Sequence, residues 1–89
     1  MTLQELREDI EGTDAEIIRL IRARMDIALK IAEEKTSVGL PTHDPDRVDV
    51  VLARVANQAK QFNLDPNPVR DIFITLIRMS EDIQDQIRH

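Results

Sequence analysis

The 89-residue sequence predicts an all-α fold built from three helices, one long and N-terminal and two shorter. Three observations predict it. Apolar residues recur at three- and four-residue intervals in three successive segments, the spacing that lines one face of a helix. Two proline-containing breaks, at 38–43 and 64–68, separate those segments. The chain is also too short to bury more than a modest core, has no cysteine to staple it, and carries only Phe62 and Phe73 as aromatics. Such a composition favours a helical oligomer whose subunits complete each other's core.

The first helix is expected from about Thr2 to about Ser37. Its stripe is Leu3, Leu6, Ile10, Ile17, Leu20, Ile27 and Ile31, with no proline inside. Gly12 costs about 1 kcal/mol against alanine, which a long helix tolerates. An unbroken helix of this length points to coiled-coil-like packing against a partner. Val38 to His43 form a loop, in which Gly39 can close the helix and Pro41 cannot continue it. The second helix opens with Asp44 as N-cap and Pro45 at its first position, and ends near Asn63. Val48, Val51, Leu52, Val55, Ala59 and Phe62 are its stripe. Leu64 to Pro68 form the second connection, in which either Asp65-Pro66 or Asn67-Pro68 can cap the third helix. Val69, Ile72, Phe73, Leu76, Ile77, Ile83 and Ile87 follow as its stripe, interrupted at helical spacing by Ser80 and Gln84.

Residues 1–89 are read as one domain, without internal repeats or a linker. The net charge of −5 makes the chain a poor general binder of nucleic acid. No apolar run has signal-peptide character or the length of a membrane span, so a cytoplasmic protein is expected, with neither membrane nor nucleic acid as partner. With no cysteine, and His43 and His89 as the only histidines, no metal site is expected and no thiolate nucleophile exists.

Charge placement is more informative than charge balance. Stepping by three or four along the first helix gives Arg7, Ile10, Asp14, Ile17, Ile21, Arg24, Ala28, Ile31 and Lys35, so three cations share a ladder with apolar residues. A lone cation at such a position can snorkel to water. Several on would-be core faces are costly unless an anion meets them. Arg24 and Lys35 are about 16 Å apart along a straight helix and can lean together over one small anion. Arg7 is roughly 25 Å from Arg24 and must serve a site built by another subunit, if it serves one. Arg47 stands in the first turn of the second helix, where the helix dipole disfavours a cation. Ser80 and Gln84, four apart, can face one ligand. A pocket of four cations, an amide and a hydroxyl suits a small dicarboxylate. It offers positioning and electrostatic stabilisation without a nucleophile, which fits a unimolecular rearrangement.

The order of these residues resembles the all-helical class of chorismate mutase over nearly the whole chain. Leu6-Arg7-Glu8 with Ile10 and Asp14 is similar to the family's opening motif. Arg24-Met25 follows at the family's interval, and Lys35 after it. His43-Asp44-Pro45-Asp46-Arg47 resembles the turn signature, and Ser80 with Gln84 the C-terminal pair. The resemblance implies a [3,3] Claisen rearrangement of chorismate to prephenate, on the route to phenylalanine and tyrosine, without cofactor. It also implies an intertwined helical homodimer with shared active sites. By the resemblance, Arg7 of the partner subunit, Arg24 and Arg47 hold the two carboxylates. Lys35 and Gln84 bond the ether oxygen, Asp44 lies near the ring hydroxyl, and Ser80 lies near the ring carboxylate. In one place the chain departs from the family: Val48 stands where a glutamate usually meets the ring hydroxyl. Related isochorismate-pyruvate lyases share the fold and can be apolar there, but they typically lack the serine that this chain keeps as Ser80. A lyase is therefore the alternative enzyme reading, and a non-catalytic helical dimerisation module the alternative outside enzymes.

Overall fold

The structure is a computed structural model that describes residues 1–87. His89 lies outside the described residues. The described residues form three helices, α1 (Leu3–Ser37), α2 (Pro45–Gln61) and α3 (Pro66–Ile87), and no strand.

Local chemistry sets each boundary. Thr2 is the N-cap of α1, its Oγ1 accepting the Glu5 N–H at 3.1 Å, so the helix proper begins one residue after Thr2. At the other end Gly39 takes a left-handed φ of +74°, and the Leu40 N–H turns back to the Lys35 carbonyl at 2.8 Å. A side chain in that conformation meets the following carbonyl. Gly39→Ala is therefore expected to cost about 1 kcal/mol in thermal or denaturant unfolding. At Gly12 no atom stands within 4 Å of where a Cβ would be, so nothing in the chain's own packing calls for glycine there.

Asp44 caps α2 as expected, its Oδ1 accepting the Arg47 N–H at 3.2 Å, with Pro45 opening the helix. The helix stops at Gln61, short of the expected end near Asn63. Asn63 adopts φ +58°, and the Leu64 N–H bonds the Ala59 carbonyl at 2.9 Å. Asparagine tolerates this reversal better than other residues with a side chain. Between the two capping options for α3, the structure selects Asp65-Pro66: Asp65 Oδ1 accepts the Asn67 N–H at 3.0 Å. Pro66 and Pro68 both fall in the first turn, where a missing N–H costs nothing.

α3 packs against both α1 and α2, which make no close approach to each other. A helix of 35 residues is about 52 Å long, so α1 alone accounts for the long dimension of a chain measuring 55 × 24 × 14 Å. The core is small. Met25, Ala28 and Ala32 come from α1, and Val51, Leu52, Val55 and Ala59 from α2. The buried residues of α3 are Ser80 and Gln84, the two polar interruptions of its stripe.

The stripe read on α1 is not buried within the chain. Every residue before Ile21 is exposed, including Leu3, Leu6, Ile10, Ile17 and Leu20. The periodicity is real, but nothing in the rest of the chain covers the first half of so long a helix. Phe62, placed on the α2 stripe, is also exposed, because the helix has already ended there. No helix among the described residues is long and apolar enough to cross a membrane.

Candidate active site

α1 and α2 stand apart above α3, and the space between them is a cavity of about 260 Å³. α1 contributes Arg24, Ile27, Ala28, Ile31 and Lys35, and the loop that follows contributes Thr42. Asp44, Arg47, Val48, Val51 and Arg54 line the α2 side, and Ile77, Ser80, Glu81 and Gln84 the α3 floor. Seven of the eight residues singled out in the sequence meet in this one space: Arg24, Lys35, Asp44, Arg47, Val48, Ser80 and Gln84. Arg7 does not. It sits exposed on the bare half of α1, where the rise of a helix already put it out of reach.

Arg24 projects from α1 onto α3. Its Nη1 donates to Ser80 Oγ at 2.7 Å and more weakly to the Leu76 carbonyl at 3.5 Å. Ser80 in turn donates its hydroxyl proton to the Leu76 carbonyl at 2.9 Å. A serine with both roles filled fixes the guanidinium rather than competing with it for a ligand. Burial pushes the Arg24 guanidinium below its usual value, and the positive charge of Arg54 pushes in the same direction. No carboxylate pairs with Arg24 among the described residues, although Arg19 and Arg22 on the outer face of α1 each have one. An arginine cannot shed its proton at neutral pH, so what relieves this cation is an anion.

Lys35 occupies the last turn of α1, where the helix dipole favours a cation. Its Nζ donates to the Thr42 carbonyl at 3.0 Å, holding the ammonium at the loop end of the cavity. Gln84 lies on the floor, only 6% exposed, and its Oε1 is buried without a hydrogen-bond partner. Thr42 Oγ1 is in the same condition, and both atoms belong to residues that line the cavity. Unpaired buried polar atoms are rare and costly, about 1–3 kcal/mol each, so two at one cavity mark a place shaped for a polar ligand.

Three polar lining residues were not singled out in the sequence: Thr42, Arg54 and Glu81. Arg54 follows Arg47 by two helical turns and is readable as the next cation on that face. Glu81 neighbours Ser80 on the face that ends in Gln84. Thr42 sits in a loop, where no periodicity reports direction. Among the described residues no cluster of three histidine, cysteine or acidic side chains is arranged to hold a metal ion.

The cavity therefore combines four cations, a buried amide and apolar walls from Ile27, Ile31, Val51 and Ile77. It can grip a small dianion and set an ammonium and an amide against one of its atoms. Because Arg24 is held in place against desolvation, Arg24→Met is expected to leave the melting temperature unchanged or raise it while removing ligand binding. A clear fall in melting temperature would mean that Arg24 serves packing instead.

These features define a helical protein whose cavity is lined by four cations, two carboxylates and a buried amide. The chain belongs to the chorismate mutase type II family, whose profile matches residues 6–85. It is 34% identical to a chorismate mutase of Methanocaldococcus jannaschii over 94% of this chain and 85% of that one. It is 32% identical to a 4-amino-4-deoxychorismate mutase of Streptomyces venezuelae, over 91% and 82% of the two chains. A solved structure of a conserved hypothetical protein from Pyrococcus furiosus superposes with a TM-score of 0.71 at 32% identity, covering 94% of this chain and 96% of that chain.

Proposed function

We propose that the protein is an isomerase that converts chorismate to prephenate in phenylalanine and tyrosine biosynthesis. The observation that carries this reading is the meeting of Arg24, Lys35, Arg47 and the unpaired Gln84 amide in one cavity. Chorismate carries two carboxylates, one on its ring and one on the enolpyruvyl side chain. In the rearrangement the ether C–O bond breaks while a C–C bond forms within the same molecule, so no group leaves and no proton must move. Two things lower the barrier. The flexible side chain must fold over the ring, and arginines holding both carboxylates select that conformer. The ether oxygen gains negative charge as its bond stretches, and Lys35 with Gln84 aimed at it stabilise the transition state more than the ground state. Gln84 lines the cavity with its side-chain amide, whose N–H is the donor for that oxygen in this reading. Arg24 and Arg47 are the carboxylate ligands within one chain, with Asp44 near the ring hydroxyl and Ser80 holding Arg24.

The working form is an intertwined homodimer. A compact protein of 10.2 kDa exposes roughly 5,300 Å². This chain exposes 6861 Å², much of it on the bare apolar half of α1. A second copy covering that stripe would remove the excess and would carry Arg7 to the partner's cavity. Residues 1–89 act as one domain in this reading, in the cytoplasm.

Purified protein given chorismate should deplete it without added metal or cofactor, with prephenate as product. A folded dimer that leaves chorismate untouched rejects the proposal. Val48 in the cavity lining keeps the lyase as a second reading. Salicylate and pyruvate released from isochorismate, faster than chorismate rearranges, would establish it instead.

A further inference from the structure

The cavity holds two carboxylates as well as its cations, and one of them has no evident task. Asp44 caps α2 through its Oδ1. Glu81 projects from α3 into the same cavity, its side chain only 28% exposed, with Oε1 on His43 Nδ1 at 3.0 Å. His43 directly precedes Asp44, so this contact seats Glu81 beside the 42–44 loop that leads into α2, and Val48, in the first turn of that helix, lines the same cavity. A carboxylate beside the binding place of a dianion repels it, unless it faces a part of the ligand that donates a hydrogen bond. Chorismate has one neutral donor, the ring hydroxyl.

We propose that Glu81, steadied by His43, is the specificity residue that accepts the hydrogen bond of the substrate's ring hydroxyl, in the role that Val48 cannot fill. The inference rests on the mutase reading and goes beyond it by naming a residue on α3, rather than α2, as the acceptor. The position is chemically suited to the task. Oε1 is engaged with His43, while Oε2 has no hydrogen bond among the described residues and is available to a ligand. Val48 and Ile77 of the lining are apolar and accept nothing, and Asp44, the other carboxylate of the lining, already spends its Oδ1 on the Arg47 N–H. A carboxylate also accepts from an ammonium, more strongly than from a hydroxyl. The same residue would therefore favour a ring amine, the group that distinguishes 4-amino-4-deoxychorismate from chorismate.

The test compares kcat/KM of the wild type, Glu81→Ala, Glu81→Gln, His43→Ala and the double variant Val48→Glu with Glu81→Ala, on chorismate and on 4-amino-4-deoxychorismate. Circular dichroism and melting temperature check that each variant is folded. Glu81→Ala should lose about tenfold to a hundredfold on chorismate, the usual effect of removing a hydrogen bond to a charged group, and more on the amino substrate. Glu81→Gln, which keeps an acceptor, should lose less on chorismate. His43→Ala should cost less than Glu81→Ala, since the carboxylate remains. Val48→Glu should recover most of the loss by returning an acceptor from the other wall. If Glu81→Ala stays within twofold of the wild type on both substrates, the assignment is wrong. Equal losses on both substrates, matched by His43→Ala and not recovered by Val48→Glu, would overturn it too and leave Glu81 as a pin for the loop. A wild type with no turnover removes the mutase reading itself, so the two failures are distinct.

Discussion

Replacing Lys35 by alanine is expected to lower kcat by about a thousandfold, the upper range for losing one preorganised donor at a developing oxyanion, with the helical circular dichroism spectrum intact. The size of the effect follows from what the reaction leaves for a protein to do. The bond-making and bond-breaking are internal to chorismate, so catalysis is confined to conformer selection and to charge at the ether oxygen. Lys35 is the full positive charge proposed for that oxygen, and it is half-buried at the cavity, where a charge acts more strongly than in open water. The lysine gives up little to act. It already sits at the cavity rim on the Thr42 carbonyl, 3.0 Å away, and moves from that acceptor to the substrate. Its removal leaves the buried side chains of Met25, Ala28 and Ala32 in place, because Lys35 stands in the last turn of α1 with its head on the Thr42 carbonyl rather than among them. Steady-state kinetics on the folded variant decide the matter, and a kcat within tenfold of the wild type would remove Lys35 from the proposed role.

How far the sequence anticipates this site depends on the kind of signal each residue carries. Asp44-Pro45 fixes both a helix start and a site residue, because capping is local chemistry that no distant contact can override. Arg24 and Lys35 are legible as misplaced charges on a helical ladder, and Ser80 with Gln84 as misplaced polar residues on another. What could not be read is which face meets which. The stripe from Leu3 to Leu20 has the periodicity of a buried surface, yet periodicity does not say whether the same chain or a second copy does the burying. Thr42 and Glu81 escaped for a related reason. Glutamate on a helix is unremarkable in a chain with 17 acidic residues, and only the packing of α3 under the 42–44 loop sets this one against His43. The choice between Asp65 and Asn67 as the α3 cap likewise turned on backbone direction, to which both sequences were equally suited.

Arg7→Ala should be close to inactive alone and yet rescue a second inactive variant. If Arg7 of the partner subunit grips one substrate carboxylate, Arg7→Ala loses about tenfold to a hundredfold in kcat/KM, the usual consequence of removing a charge-assisted hydrogen bond. Lys35→Ala is inactive for a different reason and in a different subunit of the same site. In a mixed dimer, one site then lacks both residues and the other has both. Equal mixing with subunit exchange makes half of the dimers mixed, so about a quarter of the wild-type sites should reappear. The regain must come with kcat near that of the wild type per restored site, because the intact site is unchanged. A site complete within one chain cannot behave this way: mixing two defective chains would give only the average of their activities. Arg7 lies exposed on a helix whose apolar face has no cover within the chain, so the two explanations of that bare half, a dimer surface and a shared site, meet in this one measurement. Dimerisation without rescue would retain the intertwined assembly and remove Arg7 from the site. Rescue to about a quarter would establish both at once.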